Sequence, residues 1–98
     1  MVKHYIIWKL KDDTEDKEKC KTDIKKGLEA LEGVIPGLIS MKILTEGLPS
    51  SAGDIMMDSS FESPEALKAY AKDPRHLAVA DGTVRPNVAL RLSFDVVI

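Results

Sequence analysis

Two histidines and a tyrosine are the residues of this chain best suited to proton-transfer chemistry. His4 lies in an alternating segment near the N-terminus, and His76 follows Tyr70 by six residues, across an Asp73-Pro74 break. Imidazole has an unperturbed pKa of about 6.5, close to neutrality. A histidine and a phenol that converge on an apolar pocket could exchange a proton with an enolisable carbonyl compound and orient its oxygen.

A structural role for the same residues is the competing interpretation. A tyrosine on the inner stripe of a helix is commonly part of the core, with its hydroxyl at the rim. A histidine on an apolar strand face is commonly a hydrogen-bonded core residue. In this interpretation His4, Tyr70 and His76 satisfy one another by hydrogen bonds, and the pocket is small or filled. The residues alone leave both interpretations open.

Other kinds of site lack their usual sequence patterns. The single cysteine, Cys20, excludes an intrachain disulfide, and its position on a helical apolar stripe indicates a buried thiol. Two histidines without clustered carboxylates or cysteines make a weak metal site. The chain has no glycine-rich phosphate loop and no nucleophile elbow. We therefore expect neither a metal ion nor a cofactor.

Composition limits the partners of the chain. Its 98 residues are 44% hydrophobic and 31% charged, which fits one soluble domain over residues 1–98. The formal net charge of -2 argues against a nucleic-acid partner, because such a partner selects a basic surface. No apolar stretch approaches the ~20 residues of a membrane helix, and no secretory leader begins the chain. We expect no membrane partner and a cytoplasmic protein.

Polarity patterns predict the order strand, helix, strand, strand, helix, strand. A polar cap within residues 12–14 begins the first helix, and the Ser63-Pro64 pair begins the second. The second helix ends or kinks at residues 73–74, and a short helical piece follows. The predicted strands alternate with a period of two residues over 2–11, 38–46, 54–61 and 88–98.

This order is typical of an α+β, ferredoxin-like βαββαβ fold, a four-stranded antiparallel sheet with two helices on one face. We expect Leu90, Leu92 and Phe94 of the last strand to face the helices. The opposite, open face is then mixed, with apolar members Tyr5, Ile7, Leu38, Leu44, Met56 and Val97. A homodimer formed through this open sheet face would bury them, whereas a half-solvated face is the alternative.

Four segments of the chain together resemble one known family. They are VKHYIIWKLKDDT at the start, IPGLISMKI, FESPEALKAYAKDPRH, and the closing FDVV. This pattern is similar to the stress-responsive A/B barrel family, also called Dabb, over nearly the whole chain. The resemblance implies a dimeric α+β barrel, in which two four-stranded sheets pack face to face with the helices outside. It therefore favours the homodimer.

The resemblance also implies a cavity between sheet and helices. In a distant plant member, olivetolic acid cyclase, the tyrosine and histidine that close a polyketide ring fall on Tyr70 and His76, and a first-strand cavity histidine falls on His4. The frequent His-Pro-x-His block of the family is Asp73-Pro74-Arg75-His76 here, without its first histidine. We expect a pocket smaller and less aromatic than that of the cyclase, lined by His4, Ile6, Trp8, Ile24, Leu28 and Met57.

Two functions follow from these expectations. The first is a homodimer of the stress-responsive A/B barrel family that binds a small apolar ligand or serves in a stress response without catalysis. The alternative is a cofactor-free enzyme that carries out acid–base chemistry, of the polyketide cyclase or aldol type, on a small carbonyl compound. In that alternative His76 is the general acid or base and Tyr70 its partner. Because most family members have no assigned activity, the resemblance does not decide between them.

Overall fold

The computed structural model describes residues 1–98 and confirms the predicted ferredoxin-like fold. One antiparallel sheet holds four strands in the order β2-β3-β1-β4. The strands are β1 (Val2–Leu10), β2 (Leu38–Leu44), β3 (Ile55–Phe61) and β4 (Val88–Val97). The helices are α1 (Lys17–Glu29), α2 (Pro64–Lys72) and α3 (Pro74–Val79), which is the short helical piece expected after the break. The sheet thus carries three helices instead of two.

Two short turns connect α3 to β4. A π-helical turn spans Ala80–Val84, and a 3₁₀ turn spans Arg85–Asn87. No helix is long and apolar enough to cross a bilayer.

Side-chain caps begin the helices. Asp16 accepts a hydrogen bond from the Lys19 amide at 3.0 Å, so α1 begins after Asp16 and not within residues 12–14. Ser63 accepts from the Ala66 amide at 3.1 Å and begins α2 as predicted. Both caps satisfy amide groups that the first turn of a helix leaves free.

The core lies between the helices and one face of the sheet. From β1, alternate residues point to the helices, and all five are buried: Val2, His4, Ile6, Trp8 and Leu10. From the helices, the buried side chains include Cys20, Ile24, Leu28 and Tyr70. Alternation in strands and helical spacing in α1 therefore predicted most of this core.

The last strand turns the other way from the prediction. His4 lies opposite Asp95 and Trp8 lies opposite Arg91, so the polar set of β4 faces the helices. Leu92 and Phe94 are 59% and 66% exposed on the other side, together with Leu90. The prediction that these three residues face the helices is wrong, because the pairing register, not the polarity of one strand, decides which side is covered.

An irregularity in β2 changes two further positions. The pairing of β2 with β3 shifts between Leu38 and Ser40, so Leu38 is 6% exposed while Ile39 is 48% exposed. Leu38 thus belongs to the core and not, as was predicted, to the open face. Val97 of β4 was also predicted on the open face, but it lies opposite Val2 and therefore on the helix-facing side. One extra residue reverses the alternation beyond it. The apolar members of the open face are therefore Tyr5, Ile7, Ile39, Leu44, Met56, Leu90, Leu92 and Phe94.

Acidic side chains of α1 and the turn after it cover the outer edge of β2. Glu32 accepts a hydrogen bond from the Met41 amide at 2.7 Å, and Glu29 accepts from the Ile43 amide at 3.0 Å. Lys25 donates to the Ile43 carbonyl at 2.8 Å. An uncovered strand edge offers these groups to a strand of another chain. The contacts therefore close this edge to strand addition.

Replacing Glu29 tests this edge. Glu29→Ala leaves the Ile43 amide without an acceptor, and we expect the free energy of unfolding to fall by about 1–2 kcal/mol. Burial opposes ionisation, but the Ile43 amide and Lys25 outweigh it and lower the pKa of Glu29. The contribution of Glu29 to the free energy of unfolding is therefore complete above the ordinary carboxyl pKa of about 4.3. It is lost as the pH falls through the lowered pKa of Glu29 in the folded chain.

Denaturant unfolding at pH 7 measures the change. The control is Glu18→Ala on the same helix, since the Glu18 carboxylate reaches only Lys21, at 3.6 Å. We expect the control to cost less than about 0.5 kcal/mol. Equal losses from the two substitutions would contradict a special role for Glu29.

Candidate functional site

A cavity of about 730 Å³ lies between the helix-facing side of the sheet and helices α2 and α3. Its volume is in the range of small-molecule sites. Strands β1 and β4 form its floor, and the turn before β4 closes one side. Of the predicted pocket residues, the wall includes His4, Ile6, Trp8, Leu28 and Met57.

Ile24 does not line this cavity, contrary to prediction. Its side chain is 0% exposed and lies within the core. Leu28, one turn later on α1, reaches the cavity wall. The helical stripe predicts that both residues are buried, but it does not tell which turn of the helix ends at the cavity.

Tyr70 and His76 meet on the helix side of the cavity. Their ring centroids are 4.1 Å apart and their planes are inclined by 36°. The chain bends between them at Asp73, which accepts from the Arg75 amide at 2.8 Å and begins α3. The bend brings the end of α2 and the start of α3 together, so the two side chains are stacked against each other.

Neither polar atom of this pair has a partner. The Tyr70 hydroxyl and the His76 Nδ1 are both buried, and both lack a hydrogen bond. Buried polar groups are nearly always paired, and an exception needs an explanation. Two such atoms, on stacked rings beside one cavity, mark this part of the wall as the candidate site.

His4 is separated from Tyr70 by Phe61. The ring centroids of Phe61 and Tyr70 are 5.0 Å apart, and those of His4 and Phe61 are 6.1 Å apart. The interpretation in which His4, Tyr70 and His76 satisfy one another by hydrogen bonds is therefore wrong. All three residues line the same cavity, but no hydrogen bond connects them.

The hydrogen-bond partner of His4 is Asp95, across the β1–β4 pair. The His4 Nδ1 contacts a carboxylate oxygen of Asp95, and the His4 carbonyl accepts from the Ser59 hydroxyl at 2.9 Å. A carboxylate on Nδ1 fixes the orientation of an imidazole and holds a proton on that nitrogen. The sequence prediction missed Asp95, because it had turned the polar set of β4 away from the helices.

Three cationic side chains at the cavity were also missed. They are Lys68 on α2, Arg85 in the turn and Arg91 on β4. The pairing register would have found Arg91, since any alignment that places Asp95 opposite His4 also places Arg91 opposite Trp8. No pattern in the sequence indicates Lys68 or Arg85.

Burial dominates the electrostatics of the Tyr70–His76 pair. It lowers the pKa of His76, and the charges of Arg85 and His4 act in the same direction. A backbone carbonyl of α2 and the Asp73 carboxylate oppose this shift in part. Burial also raises the pKa of Tyr70. At neutral pH the site therefore presents a neutral imidazole and a protonated phenol.

This arrangement can bind a small molecule or move a proton. The phenol can donate a hydrogen bond, and the neutral imidazole can accept or donate, depending on its tautomer. The phenol oxygen and the imidazole Nδ1 are both buried. No group of three or more His, Cys, Asp or Glu side chains is placed to hold a metal ion.

Comparison with known families gives a match over nearly the whole chain. The family model described as Stress responsive A/B Barrel Domain matches residues 2–98. The chain belongs to the Dabb family. The resemblance expected from the sequence segments is thereby confirmed. No curated protein is similar enough in sequence to this Dabb chain to count as a match.

Solved structures share the fold of this Dabb chain over nearly its full length. A dimeric protein of unknown function from Bacteroides fragilis is 26% identical, with a TM-score of 0.89 over 99% of this chain and 95% of that one. A dimeric ferredoxin-like protein of unknown function from Thermobifida fusca is 18% identical, with a TM-score of 0.84 over 99% and 90%. A hydroxynitrile lyase from Passiflora edulis is 18% identical, with a TM-score of 0.82 over 99% and 92%.

The lowered pKa of His76 predicts a pH dependence of stability. As the pH falls through about 6.5, the unfolded chain takes up a proton on this histidine while the folded chain does not. The free energy of unfolding therefore decreases until the pH reaches the lower folded pKa, and this contribution is then constant. The Arg75 side chain lowers the pKa of Asp73 to about 2, and the pKa of Glu29 is lowered as well, so both carboxyls titrate below the ordinary pKa of histidine.

Denaturant unfolding of wild type and His76→Gln at pH 7 and pH 5 measures this contribution. We expect the free energy of unfolding of His76→Gln to fall less than that of wild type between pH 7 and pH 5, because glutamine at position 76 does not titrate. The control is Lys72→Gln, at an exposed position, which should keep the wild-type difference. Identical pH dependence in wild type and His76→Gln would show that His76 is not a buried neutral imidazole.

Proposed function

We propose that this Dabb chain is a homodimer in which each subunit binds a small, mostly apolar molecule that carries one polar group. The observation behind the proposal is the unpaired Tyr70 hydroxyl and His76 Nδ1 beside an apolar cavity of about 730 Å³. An unpaired buried polar group costs about 1–3 kcal/mol. A ligand whose polar group pairs with these atoms recovers part of that cost, and its apolar body gains from burial against the wall.

The open face supports the homodimer. Leu92 and Phe94 are more than half exposed there, beside Ile7 and Leu44 at 43% and 45%. A contiguous apolar patch of this kind on a sheet marks an interaction surface. Because Glu29 and its neighbours cover the β2 edge, an added strand could pair only with β4 at the other edge of the sheet. The relatives from Bacteroides fragilis and Thermobifida fusca are both described as dimeric.

One ion pair on the open face is compatible with burial of the surface around it. Lys3 donates to the Ser60 hydroxyl at 2.9 Å and also pairs with the Asp58 carboxylate. A charge that already has partners costs less to remove from water than an isolated one. A second copy can therefore cover this region without leaving Lys3 or Asp58 unpaired.

A charge in the middle of the open face tests the dimer. Leu92 lies opposite Ile7 in the centre of the apolar patch, so Leu92→Glu places a carboxylate where the second copy packs. We expect sedimentation equilibrium to give a dimer for wild type and a monomer for Leu92→Glu. Ser93→Glu is the matched control. Ser93 is next to Leu92 in sequence but is exposed on the helix-facing side, opposite Ile6, so the Ser93→Glu protein should remain dimeric. A wild-type monomer, or a dimeric Leu92→Glu, would rule out this interface.

Paired ligands test the cavity. We expect calorimetric titration to show para-propylphenol binding about three- to tenfold more tightly than propylbenzene, because only the phenol pairs with the unpaired atoms. Tyr70→Phe should reduce this preference and retain propylbenzene binding. Binding of neither compound would refute the proposed function, and an unchanged preference in both Tyr70→Phe and His76→Gln would place the polar contact elsewhere.

Acid–base catalysis is a second candidate for the same cavity. The observation in its favour is that a neutral imidazole and a protonated phenol are stacked at 4.1 Å, and that the phenol hydroxyl and the imidazole Nδ1 have no hydrogen-bond partner. On a bound carbonyl compound, His76 would remove a proton next to the carbonyl and Tyr70 would donate to its oxygen. Solvent deuterium incorporation into acetylacetone measures this activity. If neither His76→Gln nor Tyr70→Phe changes the rate of deuterium incorporation, the proposed acid–base catalysis is ruled out.

A further inference from the structure

We propose that the one polar group of this ligand is a carboxylate, whose single negative charge is balanced by Lys68 and Arg91 on the cavity wall. This inference rests on the proposed ligand-binding function and adds the chemical class of the ligand. An apolar body with one carboxylate, such as a substituted benzoate or a short fatty acid, has the required chemistry.

The charges at the cavity are unbalanced. Arg85 forms an ion pair with Asp81, and Asp95 is hydrogen-bonded to His4. The charged side chains on the cavity wall are Lys68, Arg85, Arg91 and Asp95. The ion pairs of the chain include neither Lys68 nor Arg91. Lys68 and Arg91 therefore lack an ion-pair partner, and the three cations of the wall outnumber its one carboxylate.

The excess of positive charge is local. The chain as a whole has a formal net charge of -2. On α1, lysines are paired with acids along the helix, as Lys19 with Asp23 and Lys25 with Glu29. A cavity whose wall holds more cations than acids is thus not a consequence of a basic composition. It indicates an anion as the missing partner.

The position of Arg91 suits a carboxylate at the cavity. Arg91 lies opposite the buried Trp8, on the helix-facing side of β4. Asp95 lies on the same side but four residues further along an extended strand, which separates the two Cα atoms by roughly 13 Å. The two side chains therefore start from well-separated positions on the cavity side of β4. A guanidinium can bind a carboxylate through two parallel hydrogen bonds.

A monoanion fits this cavity better than a more highly charged group. The wall is mainly apolar, with Ile6, Leu28 and Met57 among its members, and it offers little to a strongly hydrated group. The protonated phenol of Tyr70 can donate a hydrogen bond to an anion, and a neutral His76 does not repel it. An anion close to these groups would also favour the charged form of His76, which provides a second measurement.

The test compares para-propylbenzoate with para-propylbenzamide, a neutral ligand of nearly the same shape. We expect wild type to bind the benzoate about tenfold more tightly, because hydrogen bonds to charged groups are stronger than neutral ones. In the double variant Arg91→Gln/Lys68→Gln this preference should disappear, while benzamide affinity stays within about twofold. Lys72→Gln, an exposed change of charge away from the cavity, is the control and should keep the preference.

NMR titration of His76 supplies the second measurement. Saturating para-propylbenzoate should raise the pKa of His76 in wild type, and para-propylbenzamide should raise it less. Equal affinity for the two compounds, or a preference that the double variant retains, would overturn the inference. If benzamide and para-propylphenol bind while benzoate gains nothing, only the carboxylate is refuted. If no compound binds, the proposed function fails with it.

Discussion

The antiparallel register between β1 and β4 is the constraint on which both functional surfaces depend. It places Asp95 opposite His4 and Arg91 opposite Trp8, so that the polar set of β4 lies on the cavity side. Because side chains alternate, a slip of one residue would exchange the two sides of β4. Leu92 would then enter the cavity and the Asp95 carboxylate would lie on the open face. The cavity and the apolar open face are two consequences of one pairing.

Local patterns were sufficient for much of the fold. Alternation predicted the helix-facing residues of β1, and the Ser63-Pro64 pair marked the start of α2. These signals are contained within a few neighbouring residues, since a cap or an alternating strand needs no knowledge of the rest of the chain. The order of elements followed from them, and the order is enough to predict a ferredoxin-like sheet.

The side on which β4 buries its apolar residues was not available from the chain alone. A hydrophobic residue in a strand pattern is expected to be buried, but the pattern does not tell whether the helices of the same chain or a second chain bury it. If the open face packs on a second copy, as proposed, Leu92 and Phe94 are apolar because of that contact, whereas Arg91 lies exposed on the helix-facing side of the sheet. The irregularity at Ile39 could not be predicted either, because an extra residue in a strand does not change the polarity pattern in a recognisable way.

The candidate site was predicted in part. Tyr70 and His76 were predicted from their residue types and from the family resemblance, and the structure stacks their rings. Asp95 could be found only through the register across strands, and Ile24 differs from Leu28 by one helical turn, which no periodicity resolves. The resemblance thus supported Tyr70 and His76 as candidate residues. The partners particular to this chain required the three-dimensional structure.

The separation of the two faces is the central claim, and amide chemical shifts measure it directly. Titrating para-propylphenol into ¹⁵N-labelled wild-type protein should shift the amide signals around the cavity, at Tyr70, His76 and Ala80. The signals of Ile7, Leu44 and Leu92 on the open face should stay in place. Shifts confined to the open face, with the cavity signals unchanged, would contradict the account.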